Sequence, residues 1–316
     1  MRLPFLPADR RRQGERERSP RRRGRTLDPA DLLRRVERIA VVSRRRSDAT
    51  PSGDYRSVFH GRGMEFSEVR EYRPGDDVRA IDGNVTARTG FPHVKLFREE
   101  RDRTLLFLAD LSASEDFGSG FATKRDLAAE AAAAIALAAA AQRDRVGAIL
   151  FTDRVEKIVR PARGKAHALA IVRDVLSRPL DGSGTDLPAG IAAARRMLKS
   201  RALVVLLSDF RARGWENELG ALARRHDVVA LALADPAEKA FPSAGLLRLR
   251  DAETGETRLV DASAPAFRSA WKAGAGTEAA RAACARAGVD FLALDTARTP
   301  SKALDAFFRA RSGGVR

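Results

Sequence analysis

The sequence predicts an α/β fold, doubly wound around a mostly parallel sheet, and two apolar runs carry most of this prediction. Residues 105–109 and 202–207 are short continuous apolar segments that end in polar residues, a pattern typical of strands buried on both faces. Stretches with helical character separate them, and buried strands joined by helices pair in parallel through crossover connections. We therefore expect residues 104–111 to form a central strand with residues 202–207 beside it.

The chain from residue 104 to residue 316 alternates between strand and helix patterns. Further strands are predicted at residues 146–151 and 155–160, joined as a hairpin, at 228–234 and at 289–294. A second hairpin is predicted to pair residues 246–250 with residues 257–260. Helices are predicted at residues 126–142, 165–177, 187–199, 216–225, 266–272, 278–287 and 302–311. This alternation indicates one α/β domain over residues 104–316.

Residues 1–25 form a basic tail in front of this domain. Ten arginines and three acidic residues give the tail a formal charge of +7, and it has no periodic apolar face. High charge without apolar side chains to bury predicts disorder. Such a tail is able to bind nucleic acid or an anionic membrane. No aromatic residues are interleaved with the arginines, so a solvated tail is the favoured interpretation.

Residues 26–103 are predicted to hold a helix and two extended segments. Asp28 is a good N-cap, and the proline that follows it suits the first helical position. An amphipathic helix is expected from there to about residue 46. Partial alternation predicts extended segments at residues 64–72 and 91–97, and Asp76 is expected to cap a short helix that includes Val78 and Ile81.

The composition indicates a soluble, cytoplasmic protein. Hydrophobic residues make up 44% and charged residues 32% of the chain, as in ordinary globular domains. No apolar run is long enough to cross a bilayer, and the N-terminus lacks the apolar segment of a secretory signal. Cys284 is the only cysteine, which excludes an internal disulfide and agrees with a reducing compartment.

Oxygen-bearing side chains occur at three places along the predicted sheet. Asp110, Ser112 and Ser114 form a D-x-S-x-S at the end of the first central strand. Thr185 lies in a polar loop that opens a helix, and Asp209 follows the second central strand. The carboxyl ends of strands are where open α/β sheets bind ligands. Hydroxyls and carboxylates are the hard ligands that Mg²⁺ prefers, and the lack of His and Cys argues against zinc.

A D-x-S-x-S alone is also a common strand-end turn, so the order of the three loops carries the prediction. D-x-S-x-S, then Thr, then Asp is the pattern of a metal-ion-dependent adhesion site, and the chain resembles proteins with a von Willebrand factor A-like fold. This resemblance implies that Ser112 and Ser114 bind the cation directly. Thr185 would bind directly or through water, and Asp110 and Asp209 would act through water or orient the hydroxyls.

The cation implied by this resemblance is Mg²⁺, with Mn²⁺ and Ca²⁺ as alternatives. Mg²⁺ takes about six oxygen ligands in octahedral geometry and usually keeps several waters. Neutral hydroxyls leave such an ion under-neutralised, so a carboxylate from a partner protein can complete its coordination. The expected site is therefore a docking site rather than a catalytic one.

A second stretch carries a more specific resemblance. It comprises residues 62–66, residues 69–79 with the core REYRPGDD, residues 81–82 and residues 87–90. This pattern resembles the signature of a bacterial family called domain of unknown function 58, whose members join it to a von Willebrand A-like domain. The resemblance extends over about residues 61–235. The chain departs from the family at Gly83, where Trp is usual, and at Glu115, where an apolar residue commonly follows the D-x-S-x-S.

The family resemblance also implies partners. Similar proteins work with MoxR-type AAA ATPases in chaperone-like assembly or activation of client proteins, so the chain is expected to be a non-enzymatic, metal-dependent interaction module with such an ATPase and an unknown client as partners. The alternative is binding of nucleic acid or an anionic membrane through the basic tail.

An enzymatic role was weighed against this interpretation. A strand-end aspartate such as Asp110 could be a phosphoryl-accepting nucleophile, but a haloacid-dehalogenase-like phosphatase needs a second aspartate where Ser112 stands. The sequence also lacks a Walker A motif, a G-x-S-x-G and an H-E-x-x-H. These observations favour a protein without catalytic activity.

Overall fold

The structure is a computed structural model. It describes residues 5–7, 64–74, 76, 81–99, 103–120, 122–182, 184–241, 245–273 and 277–313. The helix predicted at residues 27–46, most of the predicted basic tail and the short helix expected after Asp76 lie outside the described residues. The domain boundaries predicted at residues 25 and 103 stay predictions.

The described strands and helices are numbered here in chain order. The strands are β1 (Phe5–Pro7), β2 (Met64–Glu71), β3 (His93–Glu99), β4 (Thr104–Asp110), β5 (Arg145–Phe151), β6 (Val155–Ala162), β7 (Leu203–Ser208), β8 (Asp227–Ala234), β9 (Leu246–Asp251), β10 (Thr257–Asp261) and β11 (Asp290–Asp295). The helices are α1 (Gly83–Thr89), α2 (Lys124–Ala141), α3 (Lys165–Ser177), α4 (Leu187–Met197), α5 (Glu216–Ala223), α6 (Pro236–Lys239), α7 (Pro265–Ala273), α8 (Thr277–Arg286) and α9 (Pro300–Gly313). None of the described helices combines the length and the apolar character that a membrane span requires.

The central sheet has six strands in the order β11-β8-β7-β4-β5-β6. Its neighbouring strands pair in parallel, except that β6 returns antiparallel to β5 at one edge. The two apolar runs that the sequence analysis placed side by side do pair in parallel, with Leu105 opposite Leu203 and Ala109 opposite Leu207. The predicted fold class, an α/β fold with a doubly wound and mostly parallel sheet, is confirmed, and the arrangement is consistent with a von Willebrand A-like fold.

Alternate residues of the central strands pack into two separate hydrophobic cores, one on each face of the sheet. In β4, Leu105, Phe107 and Ala109 pack on the side covered by α2, α3 and α9, while Leu106 and Leu108 pack on the side covered by α4, α5 and α8. All five are almost fully buried. Successive side chains of a strand point to opposite faces, so a continuous apolar run is what a strand between two helical layers requires.

Helix α2 begins two residues before its predicted start at residue 126. Thr123 caps it: its hydroxyl accepts the Asp126 N–H (3.1 Å), and the Asp126 carboxylate accepts the Thr123 N–H (3.0 Å). This reciprocal capping box satisfies two backbone donors that the first turn leaves unpaired. Asp126 is therefore the third residue of the helix rather than its cap. The earlier start places Lys124 at the first helical position.

The family signature falls on β2 and on the two ends of α1, and β3 follows it in the chain. Strand β2 pairs antiparallel with β3. Asp82 caps α1 by accepting the N–H groups of Asn84 and Val85, and sequence analysis did not predict this helix. Arg70 holds Asp76 through two hydrogen bonds of 2.8 and 2.7 Å. This contact, helped by the hydrogen bond from the Arg73 N–H, outweighs burial and lowers the pKa of Asp76 below its ordinary value. The ion pair between Arg70 and Asp76 thus closes the turn that follows β2.

Gly83 was noted above as a departure from the family signature. It begins α1, is exposed, and a Cβ built there would meet no heavy atom within 4 Å. The described residues therefore leave room for the first side-chain atom of the tryptophan that is usual at this position. The structure gives no packing reason that requires glycine at this position.

A small third layer lies between β8 and α8 in the chain. Strand β9 pairs antiparallel with β10 and with β1, and α6 and α7 adjoin them. Phe241, Leu249, Ala262 and Trp271 form its buried centre. The predicted hairpin is confirmed, whereas α6 was not predicted because it is only one turn long. Its position matters for the site described next.

Candidate metal centre

The carboxylate of Asp110 lies at the carboxyl end of β4 and is fully buried. Its Oδ1 accepts the Ser112 N–H (2.9 Å), and its Oδ2 accepts a hydrogen bond from the Ser208 hydroxyl (2.7 Å). Ser208 ends β7, the neighbouring strand. Both oxygens of Asp110 are therefore fixed by groups from the two central strands.

The two serines of the D-x-S-x-S lie together beside Asp110. Their hydroxyl oxygens are 3.1 Å apart, and both residues are buried. After Ser112 the chain enters a short 3₁₀ turn over Ala113–Asp116. This tight turn reverses the chain after the strand, and it brings Glu115, its third residue, back toward the strand ends.

Glu115 extends the cluster with a carboxylate that is also fully buried. Its Oε1 accepts the Asp209 N–H (3.0 Å). Its Oε2 is buried and has no hydrogen-bond partner among the described residues. Burial raises the pKa of Glu115 well above its ordinary value; Lys124 opposes this rise, and the carboxylates of Asp209 and Asp110 add to it. An unpartnered buried carboxylate oxygen is costly and calls for a cation or a proton.

Lys124 inserts a positive charge into the same region. Its ammonium is completely buried and donates to Asp209 Oδ2 (2.7 Å) and to Glu238 Oε1 (3.0 Å). Burial alone lowers a lysine pKa, but the neighbouring carboxylates, Asp209 foremost, outweigh it and raise the pKa of Lys124 above its ordinary value. The side chain therefore stays charged.

Arg211 and Glu238 form the rim of this charge network. The Arg211 guanidinium lies 3.4 Å from Glu238 Oε1 and 3.9 Å from Asp209 Oδ2. Glu238 is held by α6, where its Oε2 accepts the Asp235 N–H (3.0 Å) in a capping box. The one-turn helix after β8 thus supplies the second carboxylate that Lys124 contacts.

Asp110 and Asp209 are both buried, yet their pKa values shift in opposite directions. Burial, reinforced by the charge of Asp209, raises the pKa of Asp110 to about 6. Burial also acts to raise the pKa of Asp209, but Lys124 and Arg211 outweigh it and hold this pKa below its ordinary value. Asp209 is therefore an ionised partner of Lys124, whereas Asp110 forms no ion pair with any of the residues that the structure describes.

The turn after β7 presents Asp209 to this cluster. Phe210 adopts a positive φ of 57°, a conformation that is strained for a residue with a side chain. Its N–H donates to the Ser208 hydroxyl (3.1 Å), and its ring packs edge-on against Trp215 at 5.3 Å. Such strain persists only where packing enforces it, and it occurs often at functional sites.

The residues at this sheet edge fit a hard divalent cation. Carboxylate oxygens of Asp110, Glu115 and Asp209 lie within 4.8 Å of one another, and the hydroxyls of Ser112 and Ser114 lie beside them. We call these three carboxylates the acidic cluster. The unpartnered Glu115 Oε2 gives it an oxygen that the protein itself does not satisfy. All the donors are oxygens, the set that Mg²⁺, Mn²⁺ or Ca²⁺ takes.

Thr185, the remaining residue of the predicted site, is engaged elsewhere. Its hydroxyl donates to Glu253 Oε1 (3.0 Å), a carboxylate in the turn between β9 and β10. The loop is held at the same edge of the sheet, because the Asp186 N–H donates to the carbonyl of Thr152, just after β5 (2.7 Å). The structure thus brings together Asp110, Ser112, Ser114 and Asp209, while the Thr185 hydroxyl is bound to the hairpin.

Sequence analysis missed Lys124, Ser208, Arg211 and Glu238 and noted Glu115 only as a departure from the family. The sequence pattern predicts a helix that starts at residue 126, which leaves Lys124 in the loop before it. The signal that identifies it is Thr123-x-x-Asp126, a capping box with aspartate in place of glutamate. Asp235-Pro236 followed by Glu238 is a second capping box, and it indicates the helix that positions Glu238.

Comparison with known proteins agrees with the family resemblance. A model of the family described as "Protein of unknown function DUF58" matches residues 68–281. Uncharacterized protein Rv1480 of Mycobacterium tuberculosis is 35% identical over 235 residues, which cover 73% of this chain and 74% of that protein. Uncharacterized protein MAV169 of Mycobacterium avium is 38% identical over 102 residues, which cover 31% of this chain and 60% of that protein.

Solved structures with a similar chain path include two from Bacteroides. The conserved hypothetical protein BatB from Bacteroides thetaiotaomicron matches 67% of this chain and 100% of its own, with a TM-score of 0.39 and 13% identity. An aerotolerance-related membrane protein from Bacteroides fragilis matches 66% of this chain and 99% of its own, with a TM-score of 0.42 and 14% identity. At this level the likeness carries no information on function.

Proposed function

This chain belongs to the DUF58 family of proteins of unknown function, and we propose that it is a non-enzymatic, metal-dependent protein-interaction module. We further propose that it works with a MoxR-type AAA ATPase in chaperone-like assembly or activation of a client protein. The observation that carries the metal-dependent part is the acidic cluster beside two serine hydroxyls, with one buried Glu115 oxygen left without a partner.

Four side chains would hold the cation. Ser112 and Ser114 offer neutral hydroxyls, and Asp110 and Glu115 offer carboxylates for which the described part of the chain shows no ion pair. Asp209 is already neutralised by Lys124, so it would act by orienting its neighbours, as its N–H does for Glu115. A bound divalent cation would supply charge compensation and a coordination position for an acidic side chain of a partner.

The hydrogen bonds of Asp110 support the absence of catalysis. A phosphoryl-accepting aspartate needs one oxygen free to attack, whereas both oxygens of Asp110 accept hydrogen bonds, one from Ser112 N–H and one from Ser208. The residue is also fully buried. An orienting or cation-holding role agrees with this arrangement better than a nucleophilic one.

The ATPase partner rests on the family resemblance of the REYRPGDD segment. The proposed chemistry of contact is an acidic side chain of the partner that meets the cation at the carboxyl end of β4. This mode of docking makes two demands that can be tested separately: the chain must bind a divalent cation, and partner binding must depend on it.

Titration calorimetry with Mg²⁺ and Mn²⁺ tests the first demand. We expect saturable binding to the wild type and a modest rise in melting temperature, because a ligand of the native state stabilises it. Asp110→Ala should lose both effects. Asp116→Ala is the matched control, since Asp116 lies in the same 3₁₀ turn with an exposed side chain. A wild type that binds neither ion at millimolar concentration would remove the mechanism.

Partner binding tests the second demand and separates the alternative function. Binding to an ATPase of the MoxR type should require Mg²⁺ and should be lost in Asp110→Ala. If the basic tail is the functional element, binding survives Asp110→Ala, depends on the arginines within residues 1–25 and falls steeply with salt concentration.

A further inference from the structure

A cavity of about 300 Å³ opens at the amino ends of the central strands, opposite the acidic cluster at their carboxyl ends. It lies between α4 and α5, where Arg195 and Arg196 occupy the last turn of α4 and His226 directly precedes β8. This is the amino end of the parallel strands, whereas the acidic cluster follows their carboxyl ends. The cavity is lined by Ala192, Arg195, Arg196, Glu218, Arg225 and His226.

The charge of this cavity is strongly positive. Three arginines and one glutamate line it, so its formal charge is +2 with the histidine neutral. Glu218 is paired with Arg195 at 2.5 Å. No carboxylate among the described residues pairs with Arg196 or Arg225, so two guanidinium groups keep their charge and their donors available at the rim.

His226 forms the buried part of the cavity wall. It is only 5% exposed, and its Nδ1 is enclosed without a hydrogen-bond partner among the described residues, so a ligand in the cavity can reach the ring nitrogens only at Nε2. Burial, together with the charges of Arg225 and Arg201, lowers the pKa of His226. A neutral imidazole carries one N–H donor.

A purely structural explanation accounts for part of this arrangement. Arginines near the end of a helix interact favourably with the negative end of its dipole, and α4 ends beside the cavity. That effect explains why Arg196 lies where it does. It does not explain why several guanidinium groups surround a hollow.

We propose that this cavity is a binding site for a small oligophosphate, of the size of pyrophosphate. Arginine guanidinium groups match phosphate oxygens with paired N–H donors, and the imidazole of His226 adds a donor from the buried wall. The lining has no phenyl, phenol or indole ring to stack a nucleobase, and its volume is at the lower end for ligand pockets. The phosphate groups are therefore the part that is recognised.

Calorimetric titration with inorganic pyrophosphate, in buffer free of divalent cations, tests this site on the full chain. We expect saturable binding to the wild type and to Asp110→Ala, since the acidic cluster takes no part. Arg196→Gln and Arg225→Gln should each weaken binding by roughly tenfold, as expected when a hydrogen bond to a charged group is lost. Arg224→Gln is the matched control, because Arg224 is exposed beside Arg225 but does not line the cavity.

His226→Phe provides an independent test that keeps the ring volume and removes the polar atom. Pyrophosphate should raise the melting temperature of the wild type, and this shift should be smaller for His226→Phe at the same concentration. Absence of saturable binding to the wild type, or an equal loss in Arg224→Gln and Arg225→Gln, would overturn the proposal. Orthophosphate titrated in parallel should bind more weakly, and equal affinity would refute recognition of more than one phosphate group.

Discussion

The two ends of the central sheet carry opposite charge in opposite settings. At the carboxyl end, Asp110, Glu115 and Asp209 are buried, and their balance depends on a single buried ammonium, that of Lys124. At the amino end, the arginines at the ends of α4 and α5 are exposed to solvent around an open cavity. Buried polar atoms without a described partner occur at both ends, among them Glu115 Oε2 and His226 Nδ1.

This difference in burial decides how much a charge matters to folding. Charges interact strongly where water is excluded, and an uncompensated one is expensive there, whereas solvent screens exposed groups. Asp110 and Asp209 show the effect at close range, since Lys124 and, to a smaller extent, Arg211 lower the pKa of Asp209, whereas the pKa of Asp110 is raised. Substitutions at the carboxyl end should therefore change stability, and those at the amino end should change ligand binding with little effect on stability.

The largest expected effect is that of Lys124→Met. This change keeps the length of the side chain but removes the buried ammonium that Asp209 and Glu238 share, which leaves them the more distant Arg211 guanidinium, at 3.9 and 3.4 Å. Breaking a buried ion pair by removal of one partner costs about 3–5 kcal/mol. Urea unfolding at neutral pH should show this loss in the free energy of unfolding.

Lys165→Met is the matched control for this measurement. Lys165 begins α3 as Lys124 begins α2, but it is exposed. Its replacement should change stability by no more than about 0.5 kcal/mol. Equal effects of the two substitutions would show that Lys124 is not the charge that balances the carboxyl end.

The next effect is a dependence of stability on pH that Asp110 contributes. Its pKa is about 6 in the folded protein against an ordinary value of 3.8, so the folded state binds the proton more tightly. The stability that this provides is complete below about pH 3.8 and is lost as pH rises through 6. Asp110→Asn keeps an acceptor for the Ser112 N–H and removes the titrating group.

Denaturant unfolding at several pH values, with chelator present, measures this contribution. From pH 4 to pH 7, Asp110→Asn should gain on the order of 2 kcal/mol of stability relative to the wild type, because only the wild type pays to ionise this group. Glu115 has a raised pKa too, but it is present in both proteins and its contribution largely cancels. Parallel stability curves would show that Asp110 stays ionised.

The sheet could be predicted from sequence because each strand shows its burial on both faces in its own run of apolar residues. Residues 105–109 and 202–207 are apolar without interruption, and a short run of this kind that ends in polar residues is typical of a strand covered on both faces. The early start of α2 was not predicted, because Thr123 and Asp126 form a capping box with an uncommon third residue. That difference of two residues hid Lys124 from the predicted site.

The candidate site was predictable only in part, because it is assembled across distant loops. Asp110, Ser112, Ser114 and Asp209 come together as expected, since their strands pair in register. No local pattern could show that Lys124 contacts Asp209, 85 residues away, or that Glu253 takes the hydroxyl of Thr185. These contacts depend on how α2 and the β9–β10 hairpin pack.

The hydrogen bond between Thr185 and Glu253 should have a smaller effect than either buried charge. Both residues are half-buried, so their bond is partly screened. A double-mutant cycle with Thr185→Val and Glu253→Ala should give a coupling of about 0.5–1 kcal/mol in the free energy of unfolding. Glu256→Ala is the control in the same hairpin, where Glu256 is exposed and contacts Arg258. Zero coupling would mean that the hairpin does not anchor the Thr185 loop.

The smallest expected effect on stability is that of Arg196→Gln or Arg225→Gln at the amino end. Each arginine is exposed, and removal of its charge loses a few tenths of a kcal/mol of interaction with a helix end while relieving repulsion from the other arginines. The free energy of unfolding should therefore change by less than about 0.5 kcal/mol. Urea unfolding without added phosphate measures this directly.

A loss above about 2 kcal/mol, comparable to that expected at the carboxyl end, would mean that these guanidinium groups hold the fold together. Stability near that of the wild type, with weakened pyrophosphate binding, is the combination that only a ligand site produces.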